Sequence, residues 1–326
     1  MKYDEIFELI SSDLKKVENE IEKNIQSPVP LVHEISRYLL GSGGKRLRPS
    51  VLLLSSGACG LLKGRERIKS AAALELIHTA TLLHDDVVDE AEMRRGMVSS
   101  NVVWGNKPTV LVGDFMLAKA LGLIQSCGNL ELIKAVTDAS AKLAEGQVLE
   151  VMSKNRMIDV SEEICFSIIE FKTASLLESC GKIGGILAGS KNGSINALSN
   201  YGLNIGVAFQ LVDDALDYSS TEEVFGKRVG QDLLEGKMTL PLLYSMRKAT
   251  GSEKNRLGKL LEKDELNESE IGKLRNLVKK YNGVEATKDV ARVYVDNAKS
   301  SINRIPGNEY KDSLYYLADF VVDRVS

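Results

Sequence analysis

Two stretches of this 326-residue chain repeat one design, and together they narrow the possible folds more than any other feature. Residues 75–96 read ELIHTATLLHDDVVDEAEMRRG, and residues 209–217 read FQLVDDALD. Each is an apolar run at helical spacing that ends in D-D-x-x-D: Asp85, Asp86 and Asp89 in the first, Asp213, Asp214 and Asp217 in the second. On a helix, residues four apart lie about 40° apart around the axis and roughly 6 Å apart along it. Asp85 and Asp89 therefore share a face with Asp86 on its flank. Carboxylates packed this way repel one another and raise one another's pKa unless a cation sits between them. Hard oxygens at this spacing suit Mg2+, which takes one or two carboxylates plus substrate phosphates. Alone, one such motif reads as a solvated patch at a helix end. Two of identical spacing, 128 residues apart (213 minus 85), point instead to one metal site made by two helices with opposed carboxylate faces.

Basic and polar residues extend the pattern. Arg94 and Arg95 follow the first motif directly, and the planar guanidinium fork matches phosphate oxygens. The Gly41–Gly44 stretch presents Lys45, Arg46 and Arg48 after glycines that permit close backbone approach. Lys172 and Thr173 sit within a helical run, and Lys227 and Lys237 lie in or just after FGKRVGQDLLEGKMTLP. Taken singly, any of these lysines could be a surface residue, and that remains the reading for Arg46 and Arg228. On an ideal wheel His78 shares the face of Asp85 and Asp89, and Gln210 shares that of Asp213 and Asp217. Each carboxylate set thus has a polar neighbour facing the same way.

Six prolines leave long uninterrupted segments, and nearly all of them carry apolar residues at i, i+3 and i+4. Helices are expected at 2–24, 30–40, 50–62, 66–93, 108–126, 129–152, 161–189 with a break near Lys172, and 195–219. A loop follows at 226–237, then helices at 239–248, 253–263, 268–281, 284–303 and 308–325. Alternating strand patterns are scarce, and no linker-like shift divides the chain. The expectation is one all-α domain over residues 1–326, its helices packed around a central space. A net charge of −3 implies no general polyanion-binding surface, so nucleic acid is not an expected partner. Four scattered cysteines without C-x-x-C spacing suggest neither zinc nor a disulfide framework and fit a reducing, cytoplasmic compartment. The amphipathic N-terminus lacks the apolar segment of a secretory signal. No uninterrupted apolar run of about 18 residues argues for a membrane span, so at most peripheral membrane contact is expected.

GGKRLRP (43–49), LLHDDVVDEAEMRRG (82–96), GDF (113–115), KT (172–173), FQLVDDALD (209–217) and GQDLLEGKMTLP (230–241) occur in the order seen in trans-prenyltransferases. From about residue 35 to 245 the chain resembles these head-to-tail polyprenyl diphosphate synthases. The resemblance implies an all-α bundle around a deep pocket and, usually, a homodimer. It implies that Asp85, Asp86 and Asp89 bind Mg2+ gripping an allylic diphosphate, and that Asp213, Asp214 and Asp217 hold further Mg2+ on it. Arg94, Lys172, Lys227 and Lys237 would contact that leaving group. Lys45, Arg48, His78 and Arg95 would hold the diphosphate of isopentenyl diphosphate. Thr173 and Gln210 would be polar wall residues near the reacting carbon, with Phe209 by the isopentenyl chain. With about three Mg2+ and these basic residues, the charge of six carboxylates and two diphosphates is nearly cancelled.

In this family bulky residues just before the first motif stop chain growth early. Here those positions hold Ala80 and Thr81, both small, and the stretch resembles octaprenyl and other long-chain synthases that make quinone side chains. On an ideal wheel Ala80 points away from the carboxylate face, so its lining role rests on the resemblance. The alternatives are a shorter-chain farnesyl or geranylgeranyl diphosphate synthase, a class I terpene cyclase, and a non-catalytic regulatory subunit. A cyclase has no use for a second diphosphate site, and regulatory subunits typically lose one or both aspartate motifs.

Overall fold

The computed structural model describes residues 3–154, 157–219, 230–263 and 266–323, with side chains from Glu8 onward. Its helices follow the periodicity closely: α1 (Tyr3–Asn24), α2 (Pro30–Gly41), α3 (Leu47–Ala58), α4 (Arg65–Val88), α5 (Ser100–Trp104), α6 (Asn106–Gln125), α7 (Leu130–Ser153), α8 (Glu162–Ile169), α9 (Ser175–Leu187) and α10 (Asn192–Ser219). Beyond α10 come a short helix at Gln231–Leu234 and longer ones at Leu240–Lys248, Gly251–Leu261, Glu268–Lys280, Gly283–Ser301 and Glu309–Asp323. The fold class is all-α, as expected.

The chain forms two compact units. One comprises Met1–Ser140, Leu176–Gly202 and Lys299–Leu317; the other comprises Ala141–Ser175, Leu203–Ala298 and Ala318–Ser326. The five borders, after residues 140, 175, 202, 298 and 317, all fall within helices.

In the first unit α4 is apolar almost all round and buried from Ser70 to Ile77, as a central helix must be. It packs against α6, and its His84 ring lies directly over Gly113 of the GDF stretch. A Cβ at Gly113 would strike that imidazole, so glycine is what lets the two helices close here. His84 Nε2 also lies 3.2 Å from the Val110 carbonyl and 3.4 Å from Asp114. The helix register just before the first aspartate is thereby fixed. Arg67, fully buried, pairs with Asp13 at 2.5 Å and donates to Ser56 Oγ at 2.6 Å, joining α1 and α3 to α4. By length and mean hydropathy α6 could cross a membrane, which the absence of an apolar run did not suggest. Its Val112, Met116 and Ala120 are buried, and it carries Asp114 and Lys119, the pattern of an amphipathic core helix.

In the second unit the apolar core gathers Met157, Val160, Cys165, Ile169, Val207, Leu211 and Leu216 with Leu240, Leu257, Leu274 and Val278 from the later helices. The helical break expected near Lys172 is a π turn, Glu170–Ala174, between α8 and α9. Such turns widen a helix locally and recur at functional sites. Gly146 of α7 permits the close approach, since a Cβ there would come within 2.7 Å of the Lys172 backbone nitrogen.

Candidate functional site

Each unit carries one aspartate motif, and each motif has its own basic and polar company. In the first unit α4 ends at Val88, five residues short of the expected end at 93. Asp89 is the C-cap residue and Glu90 turns left-handed at φ 49°. The third aspartate therefore lies where the helix stops. A two-residue hairpin follows, Met93–Arg94 paired with Met97–Val98, which the sequence reading missed. Its turn is Arg95–Gly96, with φ 52° and 77°, the all-positive geometry favoured in tight hairpins. A left-handed arginine is costly, and such strain tends to be kept where a side chain must be aimed.

The hairpin aims two arginines. Arg94 turns back to α4 and binds buried Asp86, with Nε to Oδ1 at 2.7 Å and Nη2 to Oδ1 at 2.5 Å. Arg95 donates to the Gly43 carbonyl and lies against Gly44. Asp85 and Asp89 are half-buried. The first motif is thus divided: Asp86 anchors an arginine, whereas its two face-sharing neighbours stay nearer the surface.

Gly43 and Gly44 lead into α3, whose N-cap, Arg46, is also left-handed at φ 48°. Arg46 is no surface residue. It pairs with buried Glu75 at 3.0 Å and lies 3.7 Å from Glu18. Lys45 is exposed and Arg48 half-buried at the start of α3, where free backbone N–H groups favour anions. His78 looks onto this group. Burial, and then the charges of Arg48, Arg95, Arg94 and Arg46, hold its imidazole well below the ordinary histidine value, so it is neutral. Burial likewise lowers the pKa of Arg95; Glu75 opposes the shift, and Arg46, Arg94 and Arg48 add to it. Four guanidiniums surround this imidazole; Arg46 is paired with Glu75 and Arg94 with Asp86, and guanidinium forks have the geometry that suits phosphate oxygens. Ala80, on the same helix, is buried, and half-buried Thr81 bonds the His78 carbonyl at 2.8 Å.

In the second unit Thr173 of the π turn donates to Gln210 Oε1 at 2.8 Å, and Gln210 Nε2 donates to Asp214 Oδ1 at 2.8 Å. This chain orients the buried Asp214 carboxylate. Asp213 and Phe209 are half-buried on α10. Burial pushes the Asp214 carboxyl up to about 7; the Gln210 bond opposes this, while the charges of Asp213, Asp217 and Glu150 reinforce it. Asp217 behaves differently from its partners. Its two oxygens accept the backbone N–H groups of Gln231 (3.1 Å) and Asp232 (3.2 Å), so it holds the start of the Gln231–Leu234 helix. That helix ends in the turn carrying Lys237. Asp232 is itself pushed well above the usual carboxylate range, by burial and by Asp217 and Asp214. A cavity of about 140 Å³ is lined by Glu150, Lys172, Thr173, Gln210, Asp214 and Lys237 among others. Lys172 pairs with Glu150, and Lys237 lies 2.6 Å from Glu235 and 3.7 Å from Glu150. Lys227 lies outside the described residues.

The donor set suits a hard cation such as Mg2+. Crowded carboxylates whose ionisation is suppressed by one another gain most from a divalent charge. Among the described residues no three His, Cys, Asp or Glu side chains already form a cage. Mg2+ commonly takes one or two carboxylates and completes its shell from substrate phosphates and water. Sequence reasoning missed Glu75, His84, Glu150 and Asp232, and it misjudged Arg46. All five act through tertiary partners that no local pattern shows, although Glu75, His84, Arg46 and Asp232 lie within or beside the motif stretches.

Comparison with known proteins agrees with this chemistry. The polyprenyl synthetase family pattern matches residues 29–278. The octaprenyl diphosphate synthase of Haemophilus influenzae is 38% identical over 99% of this chain and 98% of its own length. A polyprenyl synthase from Caulobacter crescentus, solved with calcium and isoprenyl diphosphate, superposes with a TM-score of 0.94 at 37% identity, covering 99% of this chain and 98% of that one. The geranylgeranyl pyrophosphate synthetase of Pyrococcus horikoshii superposes at 0.90 with 32% identity over the whole of both chains. A Bacillus subtilis relative at 32% identity, over 99% of this chain and 91% of its own, is named heptaprenyl diphosphate synthase component 2. Chain length thus varies across relatives of similar likeness, whereas the reaction class does not. With its two aspartate motifs, its arginine cluster and its whole length accounted for in this way, the chain belongs to the polyprenyl synthetase family and is a prenyl diphosphate synthase.

Proposed function

We propose that this protein extends an allylic diphosphate, farnesyl or geranylgeranyl, with isopentenyl diphosphate to give all-trans octaprenyl diphosphate for quinone side chains. The observation that carries the reading is the arginine cluster around neutral His78, next to the first aspartate motif. It supplies a diphosphate site that needs no metal, as the homoallylic substrate requires. Lys45, Arg48, His78 and Arg95 take that diphosphate. A neutral imidazole still donates one hydrogen bond to a phosphate oxygen.

Each motif would supply oxygen ligands for Mg2+, Asp85, Asp86 and Asp89 in one unit and Asp213, Asp214 and Asp217 in the other, while Asp86 also fixes Arg94 and Asp217 also fixes the turn that bears Lys237. When bound, Mg2+ adds Lewis-acid stabilisation to the departing diphosphate. Arg94, Lys172, Lys227 and Lys237 stabilise the same developing charge by fixed electrostatics. The apolar helix faces keep water from the allylic cation, which would otherwise end as an alcohol. Positioning the isopentenyl double bond against that cation completes the carbon–carbon bond. The released diphosphate can take the proton, so no dedicated protein base is required.

Octaprenyl as the product is supported by the small Ala80–Thr81 pair and by the name of the Haemophilus relative. A homodimer is supported by the apolar surface left open on the first unit: Val102, Val103, Leu111 and Leu121 are all exposed. The component name of the Bacillus relative favours a second reading, in which the chain works with a different subunit. Purified protein alone should release diphosphate from farnesyl diphosphate only when both Mg2+ and isopentenyl diphosphate are present. Release without isopentenyl diphosphate would support a cyclase, and activity only after adding a cell extract would support a partner subunit.

A further inference from the structure

Glu150 is an acidic residue placed among groups expected to hold an anion. It comes from α7, a helix that carries neither aspartate motif, and lines the cavity beside Thr173, Gln210 and Asp214. Its carboxylate meets Lys172 from the π turn and approaches Lys237 from the turn after Gln231–Leu234. Both lysines are half-buried, as is Glu150 at 12% side-chain exposure, and Lys237 has Glu235 as a second carboxylate partner at 2.6 Å. Three separate elements therefore converge on one carboxylate. As a stability device this is a poor investment, because buried ion pairs add little to stability beyond what an apolar replacement gives. As a device for an anion site it has a distinct effect. Two ammonium groups brought close for a diphosphate would repel each other and retain an emptied diphosphate strongly, unless another anion takes its place.

We infer that Glu150 is an internal stand-in for the leaving diphosphate: it holds Lys172 and Lys237 in position while the cavity is empty and competes with inorganic diphosphate for them when the reaction is over. It is a positioning residue that acts through the two lysines. The inference rests on the proposed role of Lys172 and Lys237 as leaving-group contacts. It assigns Glu150 the work of keeping that site from trapping its own product. No bond to carbon or phosphorus forms or breaks at Glu150; the lysines exchange one anionic partner for another.

The test is Glu150→Gln, which keeps the side chain's size and removes its charge, with inorganic diphosphate and Mg2+ as the probe. Binding is read by calorimetry, and inhibition by steady-state kinetics with farnesyl diphosphate varied. In the variant, inorganic diphosphate should bind and inhibit about tenfold more tightly. KM for farnesyl diphosphate should fall or hold, and kcat should drop as diphosphate release slows. A purely structural salt bridge would instead weaken binding and raise KM. Unchanged or weaker diphosphate binding by folded Glu150→Gln overturns the inference. Glu150→Asp retains the charge and should return diphosphate affinity towards wild type, so it keeps the test decisive if the glutamine variant folds poorly. If Glu150→Asp also binds diphosphate about tenfold more tightly, charge competition is refuted. Wild-type protein that binds no diphosphate in the presence of Mg2+ would overturn the leaving-group reading itself, and the inference with it.

Discussion

Asp214 offers the sharpest quantitative test of the second aspartate cluster. Its carboxyl is buried and raised from 3.8 to about 7, by burial first and then by the charges of Asp213, Asp217 and Glu150. A carboxyl raised on folding binds more protons in the native state than in the unfolded state, so metal-free stability falls as pH rises from about 4 to about 7. At about 1.36 kcal/mol per pKa unit, the raised Asp214 carboxyl costs roughly 4 kcal/mol above pH 7, where it is ionised, and about 2 kcal/mol at pH 5, where folding must keep it protonated. Asp214→Asn removes this cost and can keep the 2.8 Å bond from Gln210. In chelator-treated protein, urea denaturation should therefore find the variant more stable than wild type. The gap should widen by about 2 kcal/mol between pH 5 and pH 8. Saturating Mg2+ and diphosphate should narrow it, and the variant should lose most of its turnover. A gap that does not change with pH, or a variant less stable than wild type at pH 8, would refute the picture of a charge cluster awaiting a cation.

Three further outcomes follow from the geometry. Thr173→Val breaks the Thr173–Gln210–Asp214 chain and should lower kcat about tenfold with little change in urea midpoint, while Thr173→Ser keeps the hydroxyl and most of the rate. Gly113→Ala drives a Cβ into the His84 ring and should destabilise the protein by about 2 kcal/mol in thermal unfolding, with part recovered in the His84→Ala, Gly113→Ala double variant. Ala80→Phe should shorten the product while leaving turnover measurable; an unchanged product length by mass spectrometry would remove Ala80 from the chain-length pocket.

The sequence made the helices legible because their apolar periodicity is local. Long helices such as α6, α7 and α10 fall within a few residues of their expected bounds, and even the break near Lys172 is present as a π turn. The end of α4 was not legible. Periodicity continues past Val88, but Asp89 caps the helix and Glu90 adopts positive φ to start the hairpin. Nothing in R-R-G says that Arg95 will be left-handed, or that Arg94 will fold back on Asp86. The aspartates were found because they share one helix turn. Glu75, Glu150 and Asp232 were missed because each matters through a residue distant in sequence. Asp217 shows the same limit from the other side: its place in the motif is visible in sequence, but its grip on the Gln231 and Asp232 backbone is not.

The most direct measurement is product sizing. Purified protein, Mg2+, farnesyl diphosphate and labelled isopentenyl diphosphate would be incubated, and the dephosphorylated products weighed by mass spectrometry. A ladder ending at the octaprenyl alcohol, absent without Mg2+, is the predicted result. A ladder ending at geranylgeraniol would keep the reaction and contradict the chain-length assignment, and no incorporation from any allylic starter would contradict the proposed synthase activity of the isolated chain.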